Sequence, residues 1–270
     1  MTLRSSLAPL RGLILDMDGV LMRGNTPLPG VPELFSVLRS RSIGVVIASN
    51  NSTPTIDQVL ERVNRAGAGA EPKEILTSAQ ATAEYLQAKI PAGSRVLVVG
   101  EAGLLAAVAE AGYEIAHDHH EVEAVVAGMC RSLTWDLLVQ ATLAIRAGAR
   151  FIGTNPDPTY PSEMGIIPGA GSILAALEAA SETKPVVIGK PEPHLFRAAL
   201  ARLRTQPDET AVVGDRLETD ILGGHNAGLT TILVLTGVTT DRDLPGSSIV
   251  PDWTFDDLRG LCRALQNGSS

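Results

Sequence analysis

Leu13-Ile14-Leu15-Asp16-Met17-Asp18-Gly19-Val20 joins a short aliphatic run to two carboxylates and a glycine. The run has the composition of a buried parallel strand. The acids then fall at its carboxyl end, the edge where open α/β sheets gather ligands. Acids two residues apart in extended chain point to the same face, and Gly19 permits a tight turn straight afterwards. A solvated strand-to-turn Asp-x-Asp-Gly looks the same in isolation, so the remaining sequence must separate the two readings.

Outward from this stretch, short β-branched runs alternate with Ala- and Leu-rich amphipathic segments, the pattern of βαβ units on a mainly parallel sheet. A helix is expected over Val31 to Arg39, then a buried strand over Ile43 to Ala48 that runs into Ser49-Asn50-Asn51-Ser52-Thr53-Pro54. A further helix is expected from about Pro54, because Ser or Thr before a proline is a helix start signal. After an Ala-rich helix from Thr77 to Ala88 and a linker at Ile90 to Gly93, the strand Arg95 to Gly100 begins a fresh alternation that ends in a Pro- and Gly-rich loop, Thr154 to Gly171, and a helix to Ser181. Val186-Val187-Ile188-Gly189 is expected to resume the first domain. The expected fold is thus α/β, a doubly wound parallel-sheet core over 1–80 and 184–270 with a smaller α/β domain inserted over 81–183.

Composition agrees with that architecture. Hydrophobic residues make up 44% of the 270 and aromatics only 3%, which suits aliphatic strands under Ala-rich helices. The formal charge of -8 with no basic run argues against nucleic acid or an anionic membrane as partner, so any anionic substrate must be drawn by local groups. No apolar stretch reaches spanning length, and Met1 to Gly12 lacks the long apolar segment of a signal peptide, so a cytoplasmic location is expected. Cys130 and Cys262 have neither CxxC nor His spacing and are expected to be reduced thiols.

Four strand ends carry chemistry. Asp16 and Asp18 end the first. Ser49, Asn50 and Asn51 end the second, where plain N-capping is the competing reading. Lys190 follows the Val186 run, and Asp215 with Asp220 follows the strand Thr210 to Gly214. Singly, Lys190 reads as a solvated loop charge, Asp215 as a helix cap and Asp220 as structural. Together, at one edge of one core, the acids Asp16 and Asp215 with the Asp18 carbonyl form an all-oxygen set that suits Mg²⁺. Lys190, Ser49 and the amides complement a phosphoryl group. Phosphoryl transfer uses all of these.

DMDGVL, SNNST, GKP and GDRLETDI, in this order, resemble the four motifs of the haloacid dehalogenase (HAD) superfamily of phosphohydrolases. The inserted domain resembles the C2 cap arrangement on a Rossmann-like core. ATAEYL, TNPD, PGAGSI and LVLTGV are similar to the NagD-like, class IIA subfamily of p-nitrophenyl phosphatases, chronophin and phosphoglycolate phosphatase. The resemblance implies Asp16 as nucleophile and metal ligand, and Asp18 as general acid and base that also offers its carbonyl to the metal. It further implies Ser49, Asn50 and Asn51 as phosphoryl binders, Lys190 as the group that neutralises the phosphoryl charge and orients Asp16, Asp215 as the third Mg²⁺ ligand and Asp220 as its support. It implies a small phosphorylated metabolite as substrate and a homodimer through the cap.

The chemistry also follows without the family. A carboxylate nucleophile divides ester hydrolysis into two displacements through an aspartyl phosphate. Asp18 must give the leaving oxygen a proton and then take one from water. A dehalogenase has no use for that second acid. A phosphotransferase or mutase on the same site, and a noncatalytic phospho-ligand-binding protein, are the alternatives; the intact Asp16 and Asp18 speak against the second. In the cap, Tyr160 stands where chronophin-like enzymes have His, and Cys130 where many relatives have Asp, so substrate identity is the open question. Tyr160 either meets the substrate or packs within the cap. Asp118-His119-His120 lacks a third spaced metal ligand and reads as a solvated loop, while His194 and His225 read as structural.

Overall fold

The run Gly12–Leu15 forms strand β1, all four residues buried. A computed structural model describes residues 7, 9–162 and 164–267 of the chain. After β1 come the short hairpin strands β2 (Met22–Arg23) and β3 (Thr26–Pro27), helix α1 (Val31–Ser40), β4 (Gly44–Ser49), α2 (Ile56–Arg65) and β5 (Ile75–Thr77). Next follow α3 (Ser78–Gln87), β6 (Arg95–Val99), α4 (Ala102–Glu110), β7 (Glu114–Ala116), β8 (Val122–Ala127), α5 (Trp135–Arg146) and β9 (Arg150–Gly153). The chain continues with β10 (Thr159–Ser162), β11 (Gly165–Pro168), α6 (Ala170–Ser181), β12 (Val186–Val187) and α7 (Pro193–Leu203). It ends with β13 (Thr210–Gly214), α8 (Leu222–Asn226), β14 (Thr230–Val234), β15 (Trp253–Phe255) and α9 (Leu258–Asn267).

Contacts divide the chain into two compact units. Of the described residues, the first takes in those up to Ser49, Asp57–Leu76 and those from Lys190 onward; the second takes in Asn50–Ile56 and those within Thr77–Gly189. The first is built on a six-stranded sheet in the order β15-β14-β13-β1-β4-β5. β1 pairs in parallel with β13 on one side and β4 on the other, so Leu15 lies level with Val213 and Ile47. Leu13, Ile14 and Leu15 have no exposed surface, and burying each such side chain stabilises the fold by about 1.5–3 kcal/mol. The second unit has its own five-stranded sheet, β12-β9-β8-β6-β7, parallel throughout. Its core gathers Leu97, Val125, Phe151, Leu174 and Leu177. Among the described residues no helix is long and apolar enough to cross a membrane. Cys130 and Cys262 are buried free thiols.

Three expectations need correction. The helix expected from Pro54 begins at Ile56. Asn51 Oδ1 accepts from the Thr53 N–H at 3.0 Å and from its hydroxyl at 2.9 Å, and this local turn occupies the residues that would have opened the helix. The run Val186–Gly189 does not resume the first sheet. Val186 and Val187 pair with Ile152 and Gly153 of β9, and the chain enters the first unit at Lys190. An aliphatic run carries no mark of which sheet edge it will join, and the open edge of β9 takes this one. Within the expected loop Thr154 to Gly171, β10 and β11 form an antiparallel hairpin, with Pro161 opposite Ile166. A two-stranded ribbon has only edge strands, so the proline is tolerated there.

Candidate active site

The chain leaves β1 toward β4 and β5 on one side of the first sheet, and later fills β13, β14 and β15 on the other. The boundary between β1 and β13 is therefore a topological switch point, where a crevice opens beyond the carboxyl ends of the strands. Asp16 and Asp215 are the residues immediately after these two strands.

Asp16 is fixed by its backbone, whose N–H donates to Val213 O at 2.9 Å. Its Oδ1 accepts from Lys190 Nζ at 2.5 Å, and the same ammonium donates to Asp220 Oδ1 at 2.6 Å and to Ala48 O at 3.2 Å. Lys190 is 3% exposed and Asp220 1%. A π-helical turn over Leu217–Ile221 brings Asp220 back over Gly214, where a Cβ would lie 2.1 Å from that of Asp220. The other Asp220 oxygen accepts from the Arg216 N–H at 3.2 Å and the Thr219 hydroxyl at 3.3 Å. Both oxygens of Asp220 are thus committed to holding the lysine and the turn.

Asp215 accepts the Val238 N–H at 2.7 Å. Two glycines make room for its carboxylate: a Cβ at Gly19, whose φ is +89°, would lie 2.3 Å from Oδ2, and one at Gly237 would lie 1.8 Å from it. No side chain could occupy either position without displacing the acid. This is the physical content of the glycine after the Asp pair and of the Thr236-Gly237 turn.

Ligand oxygens of Asp16, Asp215 and Asp220 lie within 4.8 Å of one another. Three buried carboxylates face one ammonium, which leaves an excess of negative charge in a small buried volume. Burial pushes the Asp16 carboxyl well above its ordinary range, with Lys190 pulling it down and Asp220 and Asp215 pushing it further up. Asp215 is pushed up to about 6, by burial first and Asp220 second. Burial would lower the Lys190 ammonium, but Asp16 and Asp220 outweigh it and hold the charge. An all-oxygen, acid-rich, buried cluster fits a hard divalent cation, which would relieve the carboxylates of that repulsion.

The other expected residues have different surroundings. Ser49 ends β4 and is buried. Asp18 is outside the buried cluster: its side chain is 48% exposed and its Oδ1 accepts from Arg62 Nη2 at 2.6 Å. Arg62 is itself anchored on Gly24 O, through Nε at 3.2 Å and Nη2 at 2.5 Å. Arg62 escaped notice in the sequence, because one arginine on an amphipathic helix carries no local signal.

Asn50 and Asn51 belong to the second unit. There the Asn50 carbonyl accepts from Ser78 Oγ at 2.6 Å and Asn155 Nδ2 at 2.8 Å, and its amide donates to Asp157 at 3.3 Å. Asn155 and Asp157 of the TNPD stretch are thus the residues that hold this loop. Tyr160 is half-buried on β10, opposite Ile167. Asp118 accepts from Arg95 and from the His120 N–H, and His119 Nδ1 meets Gln140 Oε1 at 2.8 Å, so the Asp-His-His cluster fastens its loop to β6 and α5.

A family model described as haloacid dehalogenase-like hydrolase matches residues 13–114, and one described as HAD-hydrolase-like matches 187–261. An acid sugar phosphatase of Staphylococcus aureus is 39% identical over 256 residues, covering 95% of this chain and 98% of the relative. The solved p-nitrophenyl phosphatase from Archaeoglobus fulgidus superposes with a TM-score of 0.90 at 36% identity, over 94% of this chain and 99% of that one. A glycerol phosphate phosphatase from Mycobacterium tuberculosis, solved with magnesium, superposes with a TM-score of 0.87 at 38% identity, over 95% of this chain and 78% of that one.

Proposed function

The chain belongs to the haloacid dehalogenase-like hydrolases and is a phosphohydrolase of their NagD and p-nitrophenyl phosphatase group, and from that premise we propose that it hydrolyses small phosphate monoesters through a phosphoenzyme on Asp16, with Mg²⁺ as cofactor. The observation that carries this reading is the buried Lys190 held between Asp16 and Asp220 beside Asp215.

Asp16 attacks phosphorus as the bond to the ester oxygen breaks, and that oxygen leaves with a proton from Asp18. Water then attacks the aspartyl phosphate, returns a proton to Asp18, and releases inorganic phosphate with Asp16 restored. Lys190 orients the nucleophile and offsets charge on the transferring phosphoryl group, while Ser49, Asn50 and Asn51 bind its oxygens. Asp16, Asp215 and the carbonyl of Asp18 would hold Mg²⁺, which supplies further neutralisation of the phosphoryl oxygens. Asp220 keeps Lys190 in place.

The printed names of the relatives, a sugar phosphatase and a glycerol phosphate phosphatase, support a phosphorylated sugar or polyol as the substrate class. A homodimer through the second unit is part of the proposal, supported by Trp135, 80% exposed at the start of α5. The test is a screen of sugar, polyol and aryl phosphates for Mg²⁺-dependent phosphate release, with Asp16→Asn alongside. That variant is nearly isosteric and is expected to keep the fold and lose turnover. Retention of a tenth of wild-type turnover, about 1.4 kcal/mol in barrier, contradicts the nucleophile.

A further inference from the structure

The edge of the first sheet opposite the catalytic acids carries a second accumulation of charge. Arg11 precedes β1, Arg41 lies just before β4, and Arg204 closes α7 on the way to β13. All three line one cavity of about 530 Å³, with Ser42, Thr205 and Glu209 also on its wall. The chain as a whole carries a net charge of -8, so three arginines at one cavity run against its composition.

None of the three arginines forms an ion pair among the described residues. Those made elsewhere in the same unit, Arg39 with Glu74 and Arg62 with Asp18, have their acids in place. Glu209, on the same wall, forms no ion pair among the described residues, and its Oε2 accepts the Gln206 N–H at 3.4 Å. Arg41 Nη1 is buried and has no hydrogen-bond partner among the described residues. Leaving a buried donor unsatisfied costs on the order of 1–3 kcal/mol, and more for a charged group, so an anionic acceptor brought to Arg41 Nη1 would recover that cost. Thr205 and Ser42 add hydroxyls to the wall; Thr205 Oγ1 is 2.7 Å from Thr210 Oγ1.

We propose that this cavity is a binding site for a small polyanion, a molecule carrying two or more phosphate or carboxylate groups. Guanidinium groups match both oxyanions bidentately, and several of them around one cavity favour more than one anionic group on the ligand. The volume admits a small metabolite. The four residues of β1 separate the cavity from Asp16, about 13 Å in extended chain, so the site is distinct from the catalytic one and does not depend on the reaction assigned to it.

The test is calorimetric titration of the intact chain with pyrophosphate and, separately, citrate, at low ionic strength and with chelator present. One site per chain is expected for at least one probe, weakening as salt is added. Tighter binding of pyrophosphate assigns the site to phosphates, and of citrate to carboxylates. Arg41→Gln and Arg204→Asn are each expected to weaken binding at least tenfold while leaving phosphate-ester hydrolysis within twofold of wild type. Arg204 has a φ of 56°, a conformation that asparagine tolerates, so Arg204→Asn decides the matter if Arg41→Gln fails to fold. Binding of neither probe, or binding unchanged in a folded variant, overturns the proposal.

Discussion

Lys190 Nζ and Asp16 Oδ1 are 2.5 Å apart, and the lysine is 3% exposed. Removing one partner of a buried pair leaves an uncompensated charge, with a penalty of about 3–5 kcal/mol. In Lys190→Ala three buried acids would face no ammonium at all. Turnover is expected to fall at least a hundredfold, about 2.7 kcal/mol in barrier, and by a similar factor for every ester, because the phosphoryl group is common to all. Steady-state rates on three unrelated esters check this. Losses that differ widely between esters would place Lys190 against the leaving group instead.

The acids also set a pH dependence. A carboxyl whose pKa is higher in the folded chain than in the unfolded one favours folding while protonated. For Asp215 that contribution is fully present below about 4 and is lost as pH rises to about 6, and Asp16 shifts in the same direction. Without metal, wild type should lose several degrees of Tm relative to Asp215→Asn between pH 4 and pH 7. In the proposed function Mg²⁺ would bind the ionised acids, so adding it should recover the difference at pH 7 and do little at pH 4. Melting curves with chelator and with Mg²⁺ measure both effects, and a difference between the two proteins that ignores pH contradicts the assignment.

The strand ends were legible because four of them carry chemistry in one core, although each alone reads as a turn, a cap or a loop charge. Asp16 and Asp215 sit where β1 and β13 stop, and the split order of the sheet brings them side by side. The path of Lys190 was not legible: the run before it pairs with β9 of the second sheet, and only the long lysine stem reaches the acids. β5 and β15 were missed because three residues are too few to show a period. Arg62 was missed because its partner Asp18 is forty-four positions away in the chain.

Arg62 leads to a separate expectation. Its guanidinium ties the Asp18 carboxylate to Gly24 O in the turn between β2 and β3. If Asp18 protonates the leaving oxygen, the constraint matters most for esters whose leaving group is a poor one. Arg62→Ala should therefore lower kcat/KM for alkyl phosphates at least tenfold while changing that for p-nitrophenyl phosphate by less than threefold, and Arg62→Lys should recover part of the loss. Equal losses across the leaving-group series would reduce Arg62 to a fold-stabilising contact.

Selection among esters must come from groups that meet the part of the substrate beyond phosphorus. Tyr160 of the second unit is the residue for which the sequence leaves two roles open, meeting the substrate or packing within the cap. It lies on β10, opposite Ile167 of β11, with Pro161 next to it in the strand. Its ring is only half-buried, and the same hairpin exposes Met164 at 87% and Ile166 at 78%, so this ribbon is not consumed by its own core. A hydroxyl on a rigid ring can accept from or donate to a sugar or polyol, and losing such a contact discriminates strongly between substrates that have the matching group and those that lack it. Tyr160→Ala should redistribute kcat/KM among phosphate esters by tenfold or more while leaving the Mg²⁺ dependence unchanged, since Asp16, Asp215 and Lys190 are untouched. Tyr160→Phe separates the hydroxyl from the ring: loss confined to hydroxyl-rich substrates assigns the contact to the hydroxyl. A uniform decrease for all esters, or a lower Tm with selectivity intact, means that Tyr160 packs within its own unit and that specificity resides elsewhere.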